Sequence, residues 1–236
     1  MLVSIDLHNH SCLSPCGNDD FTPSLLAIEA MERGIDILAL TDHNSARNLE
    51  AFSQACELCS ILPLFGLEVT TSEEVHVLTL FSTIEDATAF GRFVEFMLPP
   101  IKNDKRLFGR QLVVNLEGEV LEEVDAMLAS ATSLSFSDVV EEALSRDALV
   151  IPAHIDRFAN SALANLGFLP DLPYSALEAL HPPVHADTHS LVVLTGSDAH
   201  SLEQVGRRTC SLEMKDISYD SLKKALRERA LVSYRS

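Results

Sequence analysis

Two histidines separated by one residue, His8 and His10, close the first apolar segment of the sequence. Successive side chains of a β-strand alternate between its two faces, so both imidazoles would point the same way. A hydrophobic core does not need such a pair, whereas imidazole nitrogen is a common ligand of metal ions. The spacing therefore favours a metal site at the end of this strand.

Further imidazole and carboxylate side chains lie at the ends of later apolar segments. In chain order they are Asp42 and His43, Glu68, His76, His154, Asp198 and His200. In a sheet or barrel of parallel strands, ligands and catalytic groups gather at the carboxyl edge. A lone histidine after a strand is usually an ordinary loop residue, so the prediction depends on the position that all of these share. So many ligands predict two or three divalent ions that share carboxylate bridges.

The elements that must position these side chains alternate between strands and helices. Apolar segments typical of buried strands are MLVSIDL, DILALT, LPLFGLEVT, VHVLTLF, ALVIPAH, ALEAL and LVVLTGS, and helical periodicity covers residues 23–33, 46–59, 85–97, 136–146 and 219–229. The alternation predicts an α/β protein with parallel strands and crossover helices. Residues 100–134 interrupt it with a predicted hairpin that turns at Leu-Glu-Gly-Glu. We interpret this segment as an insertion, a candidate lid, within one domain of residues 1–236.

Three more histidines, His181, His185 and His189, lie in the segment HPPVHADTHS. The proline after the first residue favours a helix that begins there. These histidines do not follow strands, so we expect them to be exposed rather than bound to metal.

The charge of the chain is strongly acidic, with 35 Asp and Glu against 17 Lys and Arg and a formal net charge of −18. Without a block of basic residues, the sequence predicts no bulk binding of DNA or RNA. A small phosphorylated substrate remains compatible with this charge, because bound divalent cations reverse the field locally.

The sequence contains no apolar run of eighteen residues, so we expect no membrane span. A basic segment followed by an apolar one, typical of a signal peptide, is not found near residue 1. The five cysteines form an odd set that fits reduced thiols. Together these features predict a cytoplasmic protein.

Four motifs of the sequence resemble the signature motifs of the PHP (polymerase and histidinol phosphatase) superfamily. They are DLHNHS, LTDHNS, AHIDR and GSDAHS, with Glu68 and His76 between the second and third. The resemblance covers residues 4–201 and is greatest to stand-alone phosphoesterases. It implies a distorted, TIM-like (β/α)7 barrel with a two- or three-metal site at its C-terminal face.

The resemblance also implies a role for each ligand. One ion would be held by His8, His10, Glu68 and Asp198. Glu68 would bridge to a second ion, whose other ligands would be His76 and His154. A third ion would be held by His43 and His200. The third ion needs one more ligand from the loop SCLSPCGNDDFTP, in which no histidine occurs. We favour Asp20, with Asp19 and Cys16 as alternatives, because a carboxylate directly before a helix suits hard or borderline ions.

Zinc, manganese or iron at such a site would activate a water molecule for attack on phosphorus. Asp42 directly precedes a ligand, so it could orient metal-bound imidazole from behind. Arg157, three residues after His154, is placed to bind phosphate oxygens. The pattern therefore predicts a phosphoesterase acting on a small phosphomonoester, such as a nucleotide, a sugar phosphate or the end of a short oligonucleotide.

Two other functions fit part of the pattern. An amidohydrolase also begins with a His-x-His pair, but it usually needs a bridging lysine at a strand end, and none of the five lysines occupies such a position. A non-catalytic metal-binding or regulatory module is the other alternative. The complete ligand set argues against it.

Overall fold

The computed structural model describes residues 1–15 and 17–235. The strands are β1 (Leu2–Asp6), β2 (Ile37–Leu40), β3 (Leu62–Thr70), β4 (His76–Phe81), β5 (Leu112–Val114), β6 (Val120–Glu123), β7 (Leu149–Pro152), β8 (Leu177–Glu178), β9 (Val193–Leu194), β10 (Thr209–Glu213) and β11 (Val232–Arg235). The helices are α1 (Pro23–Glu32), α2 (Leu49–Cys59), α3 (Ile84–Phe96), α4 (Lys105–Phe108), α5 (Phe136–Ser145), α6 (Ala162–Asn165) and α7 (Tyr219–Arg227), with a short 3₁₀ helix at Leu202–Gln204. The main sheet has the order β11-β10-β1-β2-β3-β4-β7 and curls into a half-barrel, which confirms the predicted α/β, distorted TIM-like fold.

The direction of β4 differs from the prediction of parallel strands throughout. β1, β2 and β3 pair in parallel, but β4 is antiparallel to both β3 and β7. Only residues 71–75 separate β3 from β4, and a parallel crossover needs a dozen or more residues. The start of β4 therefore lies at the same edge of the sheet as the end of β3, which brings His76 next to Glu68.

Other strands also depart from the predicted pattern. β10 and β11, which the apolar runs did not indicate, extend the sheet in antiparallel order beyond β1. The segments ALEAL and LVVLTGS form only the two-residue strands β8 and β9, which pair in parallel with each other. They lie near the open side of the half-barrel, where β8 contacts β7.

The sheet is covered by apolar side chains on both faces. Along β2, Leu38 and Leu40 pack in the cluster formed with α1, α2, α3 and α5, whereas Ile37 and Ala39 pack in the cluster inside the curl. This burial on both sides explains why these strands appear as continuous apolar runs rather than as alternating patterns. Because packing of the strands does not require the polar residues at their ends, those residues are available for other functions.

The main helices begin where capping side chains occur. Thr22 accepts a hydrogen bond from the amide of Leu25, and Pro23 occupies the first turn of α1. Ser135 and Asp138 form a reciprocal capping box at the start of α5. Such caps satisfy amides that lack a partner within the helix. The five predicted helices all form, and the bounds of all but α2, which starts three residues later, lie within two residues of those expected.

The predicted insertion contains a hairpin, β5 and β6, which pairs as a small sheet of its own. It packs on the loop after β1: the amide of Leu112 bonds to the carbonyl of Cys12, and Leu13 packs with Val113 and Leu128. Asn48, at the start of α2, bonds to the backbone of Leu112 and Val114. The hairpin is thus fastened to the segments that follow β1 and β2. A lid function and the single-domain organisation stay predictions.

The segment of residues 181–190 does not form the helix that we predicted, and it consists of turns and bends. Its two consecutive prolines lack amide hydrogens, and its Asp, Thr and Ser residues favour turns. His181, His185 and His189 are exposed, as expected. Among the described residues, no helix has both the length and the apolar composition that a membrane span requires.

Candidate metal centre

The side chains predicted as ligands meet at one edge of the curled sheet. β1 leads into His8 and His10, β2 into His43, and β3 carries Glu68 near its end. Glu68 pairs with His43 in an isolated parallel bridge, so the contact between β2 and β3 continues to the edge of the sheet. His154 follows β7, and Asp198 and His200 follow β9. These seven side chains and that of His76 at the start of β4 are buried, except that of His200, which is 23% exposed.

Glu68 occupies the centre of this group and is in contact with five imidazoles. Its Oε1 atom lies 2.7 Å from Nδ1 of His76, 3.1 Å from Nε2 of His154 and 3.3 Å from Nε2 of His8. Its Oε2 atom lies 3.2 Å from Nε2 of His10 and 3.1 Å from Nδ1 of His43. Each of the two carboxylate oxygens thus faces more than one imidazole nitrogen.

Asp198 is the second carboxylate of the group. Its Oδ1 atom lies 3.5 Å from Nε2 of His8, 3.4 Å from Nε2 of His10 and 3.6 Å from Nδ1 of His200. The isolated bridge between Asn9 and Ala199 places the segment after β9 alongside the segment after β1. This pairing explains how Asp198 and His200 reach the two histidines of the first motif.

The donor atoms fit divalent metal ions in number, kind and spacing. Ligand atoms bound to one ion at about 2.1 Å lie about 3.0–3.5 Å apart, which matches the separations around Glu68 and Asp198. Three sets of side chains have ligand atoms within 4.8 Å of one another: His10, His43 and His200; His8, His10 and Asp198; and His43, Glu68 and His76.

One imidazole atom supports this interpretation from another direction. Nδ1 of His43 is buried without a hydrogen-bond partner. Nδ1 of His43 lies near Oε2 of Glu68, but the angle does not make a hydrogen bond. Because buried polar atoms are rarely left without a partner, a donor nitrogen of this kind suits metal coordination.

The pKa shifts within the group indicate that its buried carboxylates are ionised and require positive charge nearby. Burial opposes ionisation of Glu68, yet His76, His8 and His43 together hold the pKa of this carboxyl well below its usual range. Burial likewise opposes protonation of His10, but hydrogen bonds to Asp198 and Glu68 raise the pKa of this imidazole to about 9. Ionised carboxylates at this depth need compensating charge, and metal cations are one source of it.

At the mouth of the group, burial outweighs the nearby carboxylates and lowers the pKa of two imidazoles. Burial, reinforced by His10, lowers the pKa of His200 to about 4. Burial also lowers the pKa of His43 well below the usual range. Both imidazoles are therefore neutral near pH 7, which is the form that binds metal ions.

Glu178 lies directly behind the group and was not predicted as a functional residue. Its Oε2 atom accepts hydrogen bonds from Nδ1 of His8 and from the amide of His154, both at 2.9 Å. A carboxylate that accepts the second ring hydrogen of a metal-bound histidine fixes the tautomer and raises the basicity of the ligand nitrogen. A lone acid within the apolar segment ALEAL was the only sequence signal for this residue.

Gly196 allows the close approach of β9 to this pair. A Cβ atom at this position would lie 2.5 Å from Oε1 of Glu178 and 2.8 Å from Cβ of His8. Because hydrogen bonds to His8 and His154 hold the Glu178 side chain, it cannot move aside freely. The glycine of GSDAHS is therefore required by space rather than by backbone angles.

Asp42 fixes the loop after β1. Its carboxylate accepts hydrogen bonds from the amide and hydroxyl of Ser11 and from the hydroxyl of Ser14, each at 2.7 Å. Ser14 in turn accepts a hydrogen bond from Nδ1 of His10 at 2.9 Å. Asp42 therefore acts on His10 through Ser14, rather than on the adjacent His43 as its position in the sequence suggested.

A cavity of about 440 Å³ opens beside the group and is lined on that side by His43, Glu68, His76, Asp198 and His200. The rest of its lining is Ala129, Arg157, Asn160, Gln204 and Arg207. Arg157 lies with Nη1 3.6 Å from Oδ2 of Asp198. Arg207 was not predicted; it donates to the backbone carbonyls of Ser197 and Asp198.

Asp20 does not join the group. It is exposed and, with Asp19, lines a separate groove beside Arg110 and the hairpin. The chain turns away at this point, because Asn18 and Phe21 close a tight turn before α1 begins at Pro23. Cys16, the other alternative, lies outside the described residues.

Comparison of the sequence with models of protein families identifies the family of this chain. The model described as PHP domain matches residues 6–145, which is more than half of the chain, and the model described as PHP-associated matches residues 185–231. The chain belongs to the PHP family. A search of curated proteins found no significant match.

Solved structures share the PHP fold at low sequence identity. The lesion-specific endonuclease Q of Pyrococcus furiosus superposes with a TM-score of 0.72 at 20% identity, over 99% of this chain and 58% of that protein. Endonuclease Q bound to a 27-mer duplex with an abasic lesion at its active site gives a TM-score of 0.71, at 20% identity and with the same coverage. A protein from Bifidobacterium adolescentis, assigned as a metal-dependent phosphoesterase, gives 0.59 at 17% identity over 96% of both chains. The present chain thus spans a little over half of endonuclease Q. The family and these neighbours indicate a metal-dependent hydrolase.

The expectation of no bulk nucleic-acid binding was wrong. The same fold carries duplex DNA in endonuclease Q, so the fold accommodates a nucleic acid. The error came from using the net charge of the whole chain in place of the charge at the cavity. Two arginines, Arg157 and Arg207, line the cavity, so basic side chains are present at this mouth despite the acidic net charge of the chain.

Proposed function

We propose that this chain is a metal-dependent phosphoesterase, in which the buried group around Glu68 holds two or three divalent ions. The observation that supports this most directly is the position of Glu68. Its two carboxylate oxygens face five imidazoles within 3.3 Å, and the same carboxylate is accessible from a cavity that also contains two arginines. A bridging carboxylate next to an anion-binding surface is the arrangement that phosphoryl transfer requires.

Each proposed ion has a set of side chains to hold it. One set is His8, His10 and Asp198, and another is His43, Glu68 and His76 with His154 adjoining. The third set is His10, His43 and His200, which needs no ligand from the loop after β1. His10 and His43 each belong to two sets, and a neutral imidazole offers one lone pair to one ion. The first two sets can therefore be filled together, whereas a third ion would need His10 and His43 to be released from them. The mixture of nitrogen and carboxylate donors suits zinc, manganese or iron.

When bound, such ions polarise a phosphoryl oxygen and lower the pKa of a water molecule. The protein supplies the remaining parts of the reaction. Arg157 and Arg207 would bind non-bridging oxygens of the phosphate and hold the phosphorus atom against the ions. Glu178 would keep His8 in the tautomer that presents Nε2 to the centre of the group.

The substrate that we propose first is a small phosphomonoester. A cavity of about 440 Å³ accommodates a phosphate with one attached sugar or nucleoside, and its polar lining suits such a group. The acidic remainder of the surface would favour a compact substrate that touches only the arginine-bearing mouth.

A phosphodiester within a nucleic acid is a second candidate. It is favoured by the likeness to endonuclease Q, which binds duplex DNA. Because this chain spans 58% of endonuclease Q, the likeness leaves a large part of that protein without a counterpart here. The length of the preferred substrate distinguishes the two candidates.

The experiment is a hydrolysis assay with the purified protein after reconstitution with Mn²⁺, Zn²⁺ or Fe²⁺. Nucleoside monophosphates, sugar phosphates, single-stranded oligonucleotides and duplexes with and without an abasic site are compared at equal concentration. Metal-dependent release of phosphate from monoesters supports the first candidate, and cleavage within a strand supports the second. If no substrate in either class is hydrolysed while two or more ions are bound, the phosphoesterase proposal fails.

A further inference from the structure

The loop that carries Arg157 is held firmly at both ends. Ile155 donates its amide to the carbonyl of Glu178 at 2.8 Å, and the carboxylate of Asp156 accepts the amides of Leu180 and His181 at 2.7 and 2.8 Å. At the other end, the carbonyl of Asn160 accepts the amide of His76 at 3.1 Å. The loop is therefore attached to two of the elements that form the metal group.

A further bond closes the loop from within. The hydroxyl of Ser161 donates to the carbonyl of Arg157 at 2.8 Å, and the amide of Arg157 donates to the carbonyl of His154 at 2.9 Å. With the backbone held in this way, the positions from which the side chains of residues 157–160 project are fixed. Arg157 and Asn160 line the cavity.

Phe158 lies between these two cavity residues, and its side chain is fully exposed, at 102% of the reference value. It is the most exposed of the large hydrophobic side chains described. Leaving a phenyl ring in water forgoes the gain of burial, and aromatic rings dominate the energetics of interfaces when they become covered. The ring does not line the cavity itself, but the backbone that carries it is fastened between the lining residues Arg157 and Asn160. A ligand that binds in the cavity and extends past Arg157 would therefore meet this ring.

The neighbours of Phe158 restrict the chemistry of that group. Arg157, directly before it, faces the proposed phosphate position, so the ring is one residue away from an anion site. A ligand that has a phosphate and a flat aromatic group close together matches both side chains. Nucleotides have this composition, and every nucleobase has a face that stacks on an aromatic ring.

We infer that Phe158 stacks on a nucleobase of the substrate while Arg157 and Arg207 bind the adjoining phosphate. This inference rests on the proposed phosphoesterase function and specifies its substrate class. It makes Phe158 a residue that determines specificity: it would distinguish nucleotides from sugar phosphates without contact with the reacting atoms. The base could belong to a free nucleotide or to a nucleic-acid strand.

The first test uses fluorescence. The chain contains no tryptophan, so 2-aminopurine can be excited without interference from tryptophan emission. We expect quenching of 2-aminopurine 5′-monophosphate on mixing with the metal-loaded protein, in the phase before turnover. Phe158→Ala should weaken binding about tenfold and remove most of the quenching, because stacking of a base on an aromatic ring supplies an effect of about this size.

Matched variants separate ring stacking from apolar contact of any shape and from a general effect of removing a surface ring. Phe158→Tyr keeps a ring and should bind like the parent, whereas Phe158→Leu keeps an apolar side chain and should behave like Phe158→Ala. Phe96→Ala removes another exposed phenylalanine, 84% exposed at the end of α3, and should change nothing. If Phe158→Leu or Phe158→Ala binds both this probe and a short 2-aminopurine oligonucleotide within twofold of the parent, the inference is wrong.

The second test measures kcat/KM for a nucleoside monophosphate and for ribose 5-phosphate, and repeats the binding titration with a short 2-aminopurine oligonucleotide. Phe158→Ala should lower kcat/KM for the nucleotide about tenfold and leave that for ribose 5-phosphate within twofold. If Phe158→Ala loses affinity or kcat/KM with the mononucleotide, the base belongs to a free nucleotide. If it loses affinity with the oligonucleotide alone, the base belongs to a nucleic-acid strand. If neither ligand shows a loss, the inference is overturned. If the parent hydrolyses no phosphoester but still quenches the probe through Phe158, the phosphoesterase proposal fails and the stacking inference stands.

Discussion

The group around Glu68 and the loop of residues 155–161 border the same cavity, yet they are built differently. In the Glu68 group the side chains are buried and contact one another, so each imidazole position depends on its neighbours. In the loop the backbone is fastened, while the side chains of Arg157 and Phe158 extend into solvent. The comparison suggests that the first region holds ions for a reaction common to the fold, and that the second selects the substrate.

The largest effect is expected at the centre of the buried group. Glu68→Gln keeps the size of the side chain but removes the charge that faces five imidazoles. Hydrolysis and metal content should fall by more than the roughly 10–100-fold loss that is typical of outer-sphere changes. Elemental analysis and turnover measure this, with Glu57→Gln on the exposed face of α2 as the control. Retention of both within twofold, at unchanged thermal melting, would show that Glu68 is not the bridge.

A smaller effect is expected one layer behind the ligands. Glu178→Gln still offers an acceptor to His8 and His154 but no longer supplies a charge to the imidazole. Metal affinity should fall about tenfold or more, whereas KM of the fully loaded protein should change little. A competition titration with a metal chelator gives the affinity. Unchanged affinity, or a loss seen only in KM, would argue against a role that acts through His8.

In the exposed loop, loss of one arginine should affect substrate binding and spare the metal. Arg157→Ala removes a cation from the mouth of the cavity, and a charge-assisted hydrogen bond of this kind contributes about 1.5–3 kcal/mol. We expect KM to rise about tenfold while metal content stays the same. Arg227→Ala on α7 is the surface control. If Arg157→Ala lost metal instead, the separation between the two regions would not hold.

The smallest effect is expected at Asp20. Because this side chain is exposed and lines a different groove, Asp20→Asn should leave metal content and turnover within twofold of the parent. The measurement is the same elemental analysis, made beside Asp19→Asn. A large loss of metal in Asp20→Asn alone would mean that the loop after β1 folds over the site when ions are bound.

The sequence predicted most of the residues that the buried region brings together, because strand ends can be read from apolar runs. His8, His10 and Asp198 each follow such a run, and the geometry of the sheet then determines their meeting. His76 was located at the start of a strand, but the reason for its position, the antiparallel β4, was not foreseen. It depends on a five-residue turn whose conformation the apolar pattern does not reveal.

The remaining features depend on loops and on contacts between distant segments. Glu178 functions only because β8 lies behind His8, a pairing across 170 residues that no local pattern predicts. Asp20 was favoured from its position before α1, but a turn directs it outward. Arg207 and Phe158 lie outside the strand ends: Arg207 lines the cavity, and Phe158 follows the lining residue Arg157, so their importance depends on where the cavity forms.

The central claim is that the Glu68 group holds divalent ions that are required for phosphoester hydrolysis. The most direct measurement is elemental analysis of the purified chain, coupled to hydrolysis of a nucleoside monophosphate before chelation, after chelation and after addition of Mn²⁺, Zn²⁺ or Fe²⁺. The account predicts at least two ions per chain, loss of hydrolysis on chelation and its return with one of these metals. Hydrolysis that persists at full rate in a chain stripped of metal, or failure of the chain to bind any of the three ions, would contradict it.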